Sequence, residues 1–166
     1  PLQMGWTFQF SRPNITSMTQ EMGNWVVSHL GDLKGRRVLV VGDVGIDVYL
    51  FGDVKRLSPE APVPVLDVGR EDLRLGLAAN VAQNIRSLGG ECHLVTVVGE
   101  DVGADDLRGL LKKNQIQSFD LVVDPERPTT RKMRLLTGQH HIGRVDFEKK
   151  HALSAAVKRQ TIEKLS

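Results

Sequence analysis

Apolar residues change their spacing several times along this chain, and each change marks an element. Met18, Met22, Trp25, Val26 and His29 recur at helical spacing up to Gly31, which predicts an amphipathic helix ahead of the core. Ser17-Met-Thr-Gln20 has the spacing of a capping box near its start. Residues 1–15, aromatic-bearing and without clear periodicity, read as an arm. The pattern then becomes continuous: Val38–Val41 is a β-branched run that ends in Gly42-Asp43, as a buried parallel strand does where its carboxyl end opens into a crevice. Helical spacing returns at Ala78–Leu88, with Val81, Ile85 and Leu88 on one face and Gly89-Gly90 as its stop. A second run, Cys92–Val98, ends in Gly99-Glu100-Asp101. A helix from Val102 to Lys113 follows, and then a strand at Phe119–Val123. Leu153–Leu165 is a last helix, with Leu153, Ala156, Val157, Gln160 and Leu165 near one face. Strand, helix and strand in repetition predict right-handed crossovers, a parallel sheet and an α/β layered fold.

Two segments break the alternation. Residues 48–69 are far too long for a strand-to-helix loop and read as two short strands, Tyr49–Gly52 and Val63–Val68, around Ser58-Pro-Glu-Ala-Pro. Residues 129–147 read as a hairpin, Thr130–Leu136 and Ile142–Phe147, turning at Thr137-Gly-Gln-His140. Four strands outside the main layer predict a small accessory sheet. Its open face needs cover, so it is expected to act as a lid over the crevice or as a dimer contact.

Composition narrows the class. At 166 residues the chain is one domain by size. With 25% charged residues it is not disordered, and a net charge of +2 with signs mixed along the chain leaves no footprint of nucleic-acid binding. Cys92 is the single cysteine, which excludes an internal disulfide, fits a reducing compartment and reads as an inert packed residue. No apolar run approaches the ~20 residues that span a bilayer, and no basic-then-apolar leader opens the chain. A cytoplasmic protein is expected.

The candidate chemistry is weak residue by residue. Gly42-Asp43-Val44-Gly45-Ile46-Asp47 is not a dinucleotide fingerprint, since the residues after Gly45 favour extended structure rather than a helix, and no P-loop occurs. Asp47 reads either as a carboxylate accepting from vicinal hydroxyls or as a turn aspartate. Asn80 reads as a polar ligand contact or as a residue of a helix cap, and Gly76 as a close-approach point or a hinge. His29 reads as a packed or rim residue. The adjacent His140 and His141 resemble a degenerate nucleotidyltransferase motif but sit in a turn, so no metal site is expected.

Order and spacing say more. Val40-Val-Gly-Asp43-Val-Gly-Ile-Asp47, then Arg56-Leu-Ser-Pro-Glu-Ala-Pro-Val-Pro-Val65, then Gly76-Leu-Ala-Ala-Asn80-Val-Ala-Gln-Asn-Ile-Arg-Ser-Leu-Gly89, resembles the ribokinase-type (PfkB) carbohydrate kinases over about residues 36–166. The Ser-Pro-Glu-Ala-Pro stretch is closest to the branch acting on D-glycero-D-manno-heptose 7-phosphate in ADP-heptose synthesis for lipopolysaccharide. Thr129-Thr-Arg-Lys132-Met-Arg134 and Arg144-Val-Asp146-Phe-Glu148 match that branch's later lid segment in order.

The resemblance implies a three-layer α/β/α fold with a parallel central sheet plus a small β lid. Residues 1–35 would be an arm and helix, and 36–166 the N-terminal half of the kinase domain. It implies that Asp47 and Asn80 bind sugar hydroxyls, that Gly76 is the first glycine of a Gly-Gly hinge, and that Asp43 is a secondary sugar contact. Lys132, Arg144 and Asp146 would be lid residues near the substrate, where a basic group either holds the sugar's phosphate or forms a solvated strand face. It implies a phosphorylated sugar as ligand, ATP and Mg2+ for the complete enzyme, and a homodimer through the lid; neither nucleic acid nor membrane is an expected partner.

Two departures stand out. Leu77 replaces the second hinge glycine, and the Gly-Ala-Gly-Asp signature that supplies the catalytic base and phosphoryl-stabilising amides is absent. With the ATP pocket also in the family's second half, these 166 residues are not expected to catalyse phosphoryl transfer alone. The competing expectations are a non-catalytic sugar-binding or dimerisation module and another ribokinase-type sugar kinase.

Overall fold

The computed structural model of the chain describes residues 15–165. Four helices, α1 (Ile15–His29), α2 (Ala78–Ser87), α3 (Val102–Lys113) and α4 (Ala155–Glu163), accompany two sheets. The first sheet contains β1 (Arg37–Val41), β4 (Glu91–Val98) and β5 (Ser118–Val123), all parallel, in the order β1-β4-β5. The second contains β2 (Val44–Leu57), β3 (Pro64–Leu77), β6 (Thr130–Thr137) and β7 (His140–Phe147), in the order β3-β2-β6-β7. No described helix is long and apolar enough to cross a membrane.

The continuous apolar run of β4 reflects burial on both faces. Leu94 and Val98 pack with Leu107, Leu111, Ala79 and Ala82 from α3 and α2 on one side, while Val97 meets Val122 and Val157 of α4 on the other. Cys92 is a buried free thiol, and burial pushes its pKa up, away from the reactive thiolate. Gly89 adopts φ +83 at the stop of α2, where a side chain would be strained. Ser154 accepts from Val157 N at 3.2 Å and starts α4 later than the spacing predicts. Of the face expected on α4, Val157 is buried, whereas Ala156 and Gln160 are exposed.

The accessory strands are much longer than expected. β2 and β3 are each 14 residues, because Leu73, Leu75 and Leu77 continue an apolar alternation that the charged run Arg70-Glu-Asp-Leu-Arg74 hides. Ile46, Val48 and Leu75 face inward and share one core with the first sheet, so the lid is rooted in the domain rather than perched on it. Beyond Phe51 the ribbon overhangs. Register shifts occur at Phe51/Gly52 and at Val54/Arg56, and a Cβ on Gly52 would overlap the Asp67 carbonyl. The hairpin turn is tighter than expected: Thr137 pairs with His140, leaving Gly138 (φ +58) and Gln139 as its two central residues.

The first helix also differs from its expected role. α1 is already helical at Ile15, so Ser17 lies inside it and is not its cap; residues 1–14 lie outside the described residues. Met22, Trp25 and Val26 are exposed, and His29, of the packed and rim positions expected for it, takes an exposed one, stacked on Trp25 with ring centroids 4.4 Å apart.

Candidate functional site

Strand register gathers the charged residues into rows. Arg74, Asp47, Lys132 and Asp146 lie opposite one another across β3, β2, β6 and β7. Two residues further along, Asp72, Tyr49, Arg134 and Arg144 form the next row. Opposed residues share a face, as do residues two apart, so all eight stand on the face turned away from Ile46, Val48 and Leu75. Alternation puts polar chemistry on one side of the sheet and the core on the other.

Asp47 is half-buried, and its Oδ1 accepts from Arg134 Nη1 at 2.6 Å. The Arg134 guanidinium also lies 5.0 Å from the centroid of the Tyr49 ring, which Arg74 approaches at 4.6 Å. These contacts fix the Asp47 carboxylate and leave its second oxygen, Oδ2, beside Gly76. A Cβ on Gly76 would stand 3.0 Å from that oxygen, so the glycine keeps the approach open. Asp47 and Asn80 line one cavity of about 390 Å³ together with Tyr49, Arg74, Gln83 and Lys113. Asn80 does not cap its helix: it is the third residue of α2, whose N-cap is Leu77 with no side-chain cap bond.

Leu77 adopts φ 54 and ψ −131, a backbone conformation natural to glycine and strained for leucine. Its half-exposed side chain turns into a second cleft, of about 530 Å³, which Asp43 and Lys132 also line. Asp43 Oδ1 accepts from Arg127 Nη2 at 3.0 Å. Lys132 Nζ stands 3.9 Å from Glu148 Oε2.

The seven residues singled out from sequence therefore divide. Asp47 and Asn80 meet at the first cavity, with Gly76 beside the Asp47 carboxylate, and Asp43 and Lys132 meet at the second. Arg144 and Asp146 join each other in a forked ion pair (2.7 and 2.9 Å) on the outer strand and line neither. That pairing holds the Asp146 carboxyl below its ordinary range and raises Arg144. His140 and His141 are exposed on β7, and no group of three or more metal-ligating residues forms among the described residues. Sequence reading missed Arg134, Arg74, Tyr49 and Arg127. Arg134 was findable: it lies two residues from Lys132 and so shares its strand face.

A clasp joins the root of the lid to the core. Asp101 caps α3 by accepting from Ala104 N at 3.0 Å and also accepts from Thr129 N at 2.8 Å, while Thr129 Oγ1 accepts from Gly99 N at 3.0 Å. Partial burial raises the Asp101 pKa, but hydrogen bonds from the Thr129 side chain and backbone and from Ala104, with the nearby Arg131 charge, outweigh it and hold the carboxyl below its ordinary range. A carboxyl whose folded value is depressed contributes stability above its unfolded pKa and loses it as pH falls through the folded value. Asp101→Asn is accordingly expected to lower stability at neutral pH and to flatten the decline below about pH 4. Urea midpoints measured across that range check it, and an acid limb identical to that of the parent would refute the role of the clasp.

Comparison with known proteins agrees with this architecture. The description "pfkB family carbohydrate kinase" matches residues 36–163. The chain is 49% identical over 130 residues to the D-beta-D-heptose 7-phosphate kinase of Bordetella bronchiseptica, covering 75% of this chain and 41% of that protein. It is 46% identical over 114 residues to the bifunctional protein HldE of Caulobacter vibrioides, covering 69% of this chain and 24% of that protein. The fold matches that of phosphofructokinase-2 from Escherichia coli with a TM-score of 0.56 at 19% identity, over 79% of this chain and 40% of that one. The fold is ribokinase-like α/β, and the chain spans less than half the length of these relatives.

Proposed function

This chain belongs to the pfkB family of carbohydrate kinases, and from that premise we propose that it is the sugar-binding half and lid of a kinase for D-glycero-D-manno-heptose 7-phosphate. The observation that carries the reading is the meeting of Asp47 and Asn80 at one cavity, beside a Gly76 that adds no side chain. A carboxylate and an amide offer complementary contacts to vicinal hydroxyls: Asp47 Oδ2 accepts, and the Asn80 amide both donates and accepts. Arg134 holds the carboxylate in place before any ligand arrives. The 49% identity to a protein named as a heptose 7-phosphate kinase supports the choice of sugar. The pathway that follows is ADP-heptose synthesis, in the cytoplasm.

Phosphoryl transfer from ATP with Mg2+ belongs to the complete enzyme. The residues described here do not fit that role. Asp43 and Asp47 are each engaged by an arginine, and the Gly-Ala-Gly-Asp segment does not occur in this sequence. The missing resources would come from a downstream half, and half-exposed Leu39 and Val41 on the outer face of β1 offer it an apolar contact. The lid's open polar face would carry a homodimer contact. Leu77 favours a second reading, a non-catalytic module that retains the fold and associates through the lid.

Calorimetry with heptose 7-phosphate tests the proposal. Asp47→Ala is expected to weaken binding about tenfold to a hundredfold, the loss of a charged hydrogen-bond acceptor. Asp47→Asn keeps a neutral acceptor for Arg134 and controls for misfolding. Binding that ignores both substitutions would sink the substrate-half reading.

A further inference from the structure

The second cleft holds more positive charge than its acids balance. Arg127, Lys132, Lys149 and Lys150 line it against two carboxylates, Asp43 and Glu148. Both carboxylates are already engaged: Asp43 by Arg127 at 3.0 Å, and Glu148 by Lys150 at 3.2 Å and Lys132 at 3.9 Å. Lys149 Nζ instead donates to the main-chain oxygen of Glu126 at 2.9 Å and has no acidic partner among the described residues.

Arg127 is the most telling member. Its side chain is only 9% exposed, yet its carboxylate partner Asp43 is 72% exposed, which leaves a nearly buried cation with a weak, solvated counter-charge. A guanidinium carries five donors in a fixed fork, and one Arg127 side-chain hydrogen bond is formed, to Asp43. The N-terminus of α2 opens at the same place. Leu77 is its N-cap and lines the cleft, no side chain caps the first turn of this ten-residue helix, and Asp43 O takes one of its amides, that of Ala78, at 3.0 Å. Its remaining first-turn amides add positive potential to the cations.

The geometry points to this cleft as the seat of the sugar's phosphate group, with Arg127, Lys149 and Lys150 as its principal cations. The inference rests on the sugar-kinase reading above and adds where the charged end of the ligand lies. Lys132 lines the cleft and is the register partner of Asp47 on the adjacent strand, so residues of the two subsites stand on neighbouring strands of one sheet. A phosphate offers three acceptor oxygens, which a guanidinium fork, ammonium groups and helix amides can meet from different directions. A nucleotide's phosphate presents the same chemistry, so the test separates the two sources.

Lys149 and Lys150 are exposed, and the Lys149→Ala/Lys150→Ala variant is expected to keep its fold and melting temperature. Parent and variant chains are titrated by calorimetry with heptose 7-phosphate, heptose lacking the phosphate, inorganic phosphate and ATP. The variant is expected to lose about tenfold or more in affinity for heptose 7-phosphate and inorganic phosphate, and nothing for the unphosphorylated sugar. ATP is expected not to displace inorganic phosphate from the parent. An undiminished affinity for heptose 7-phosphate, an equal loss for both sugars, or displacement by ATP overturns the assignment. If neither sugar binds the parent, the kinase reading fails separately. Inorganic phosphate that still shifts the Thr130 and His151 amide resonances in the parent, but not in the variant, then sustains an anion site; no shift at tens of millimolar phosphate removes that too.

Discussion

Gly99→Ala is expected to destabilise the chain by about 3 kcal/mol, read as a fall in the urea midpoint. Gly99 is buried where β4 leaves the first sheet and faces the segment entering β6. A Cβ there would stand 2.5 Å from Arg127 O and 2.7 Å from Thr129 N. Both are main-chain atoms, so no rotamer change relieves the overlap, and residues 127–129 must move. Their displacement would break the Asp101–Thr129–Gly99 clasp and shift Arg127 off Asp43 in the same step. A matched control lies in α3: Gly109 has open space around its missing Cβ, and Gly109→Ala is expected to stabilise by about 1 kcal/mol through helix propensity. Equal midpoints for the two variants would show that the close approach at Gly99 is not tight.

Leu77→Gly is the opposite case, a loss of side chain that is expected to help. Leucine at φ 54 and ψ −131 carries about 1–3 kcal/mol of backbone strain. The side chain recovers little of this, since it is half-exposed. Glycine adds back roughly 0.5–1 kcal/mol of unfolded-state entropy. The net expectation is a gain of about 1 kcal/mol in urea unfolding, where most deletions of a leucine side chain cost stability. The substitution also removes a side chain from the second cleft, which Leu77 lines, so heptose 7-phosphate is expected to bind about tenfold more tightly. A less stable variant would refute the strain argument, and unchanged affinity would show that Leu77 does not obstruct the ligand.

Much of the architecture was legible in the sequence for identifiable reasons. The run at β4 is apolar because both faces are covered, and β1 and β5 beside it carry the same continuous apolar pattern although Leu39, Val41 and Val123 stay half-exposed; such runs are read without knowledge of partners. Gly89 was similarly legible, since a helix stop is a local event. The long ribbon was not. Its apolar positions Leu73 and Leu75 alternate with Arg74 and Gly76, and the neighbouring acids and arginines make the segment look like a loop until the strand facing it is known. The face of α1 misled in the other direction: periodicity showed that the helix is amphipathic, but a partner for that face cannot be read from spacing. At the candidate site, order and spacing singled out Asp47, Gly76 and Asn80, which the fold brings close together. The Asp47–Arg134 and Asp43–Arg127 pairs bridge 87 and 84 residues, separations at which only the fold decides who meets whom.

The interrupted register at Gly52 has a mechanical meaning. Up to Phe51, β2 is clamped between β3 and β6 over a shared core; past that point it continues with β3 alone. The bulges therefore act as a compliant joint between a stiff root and a softer arm. Whatever pulls on the arm spends most of its displacement at that joint, and little reaches Asp47 five residues below. The chain can thus vary, bend or engage the outer end of its lid while the Asp47 carboxylate stays in register.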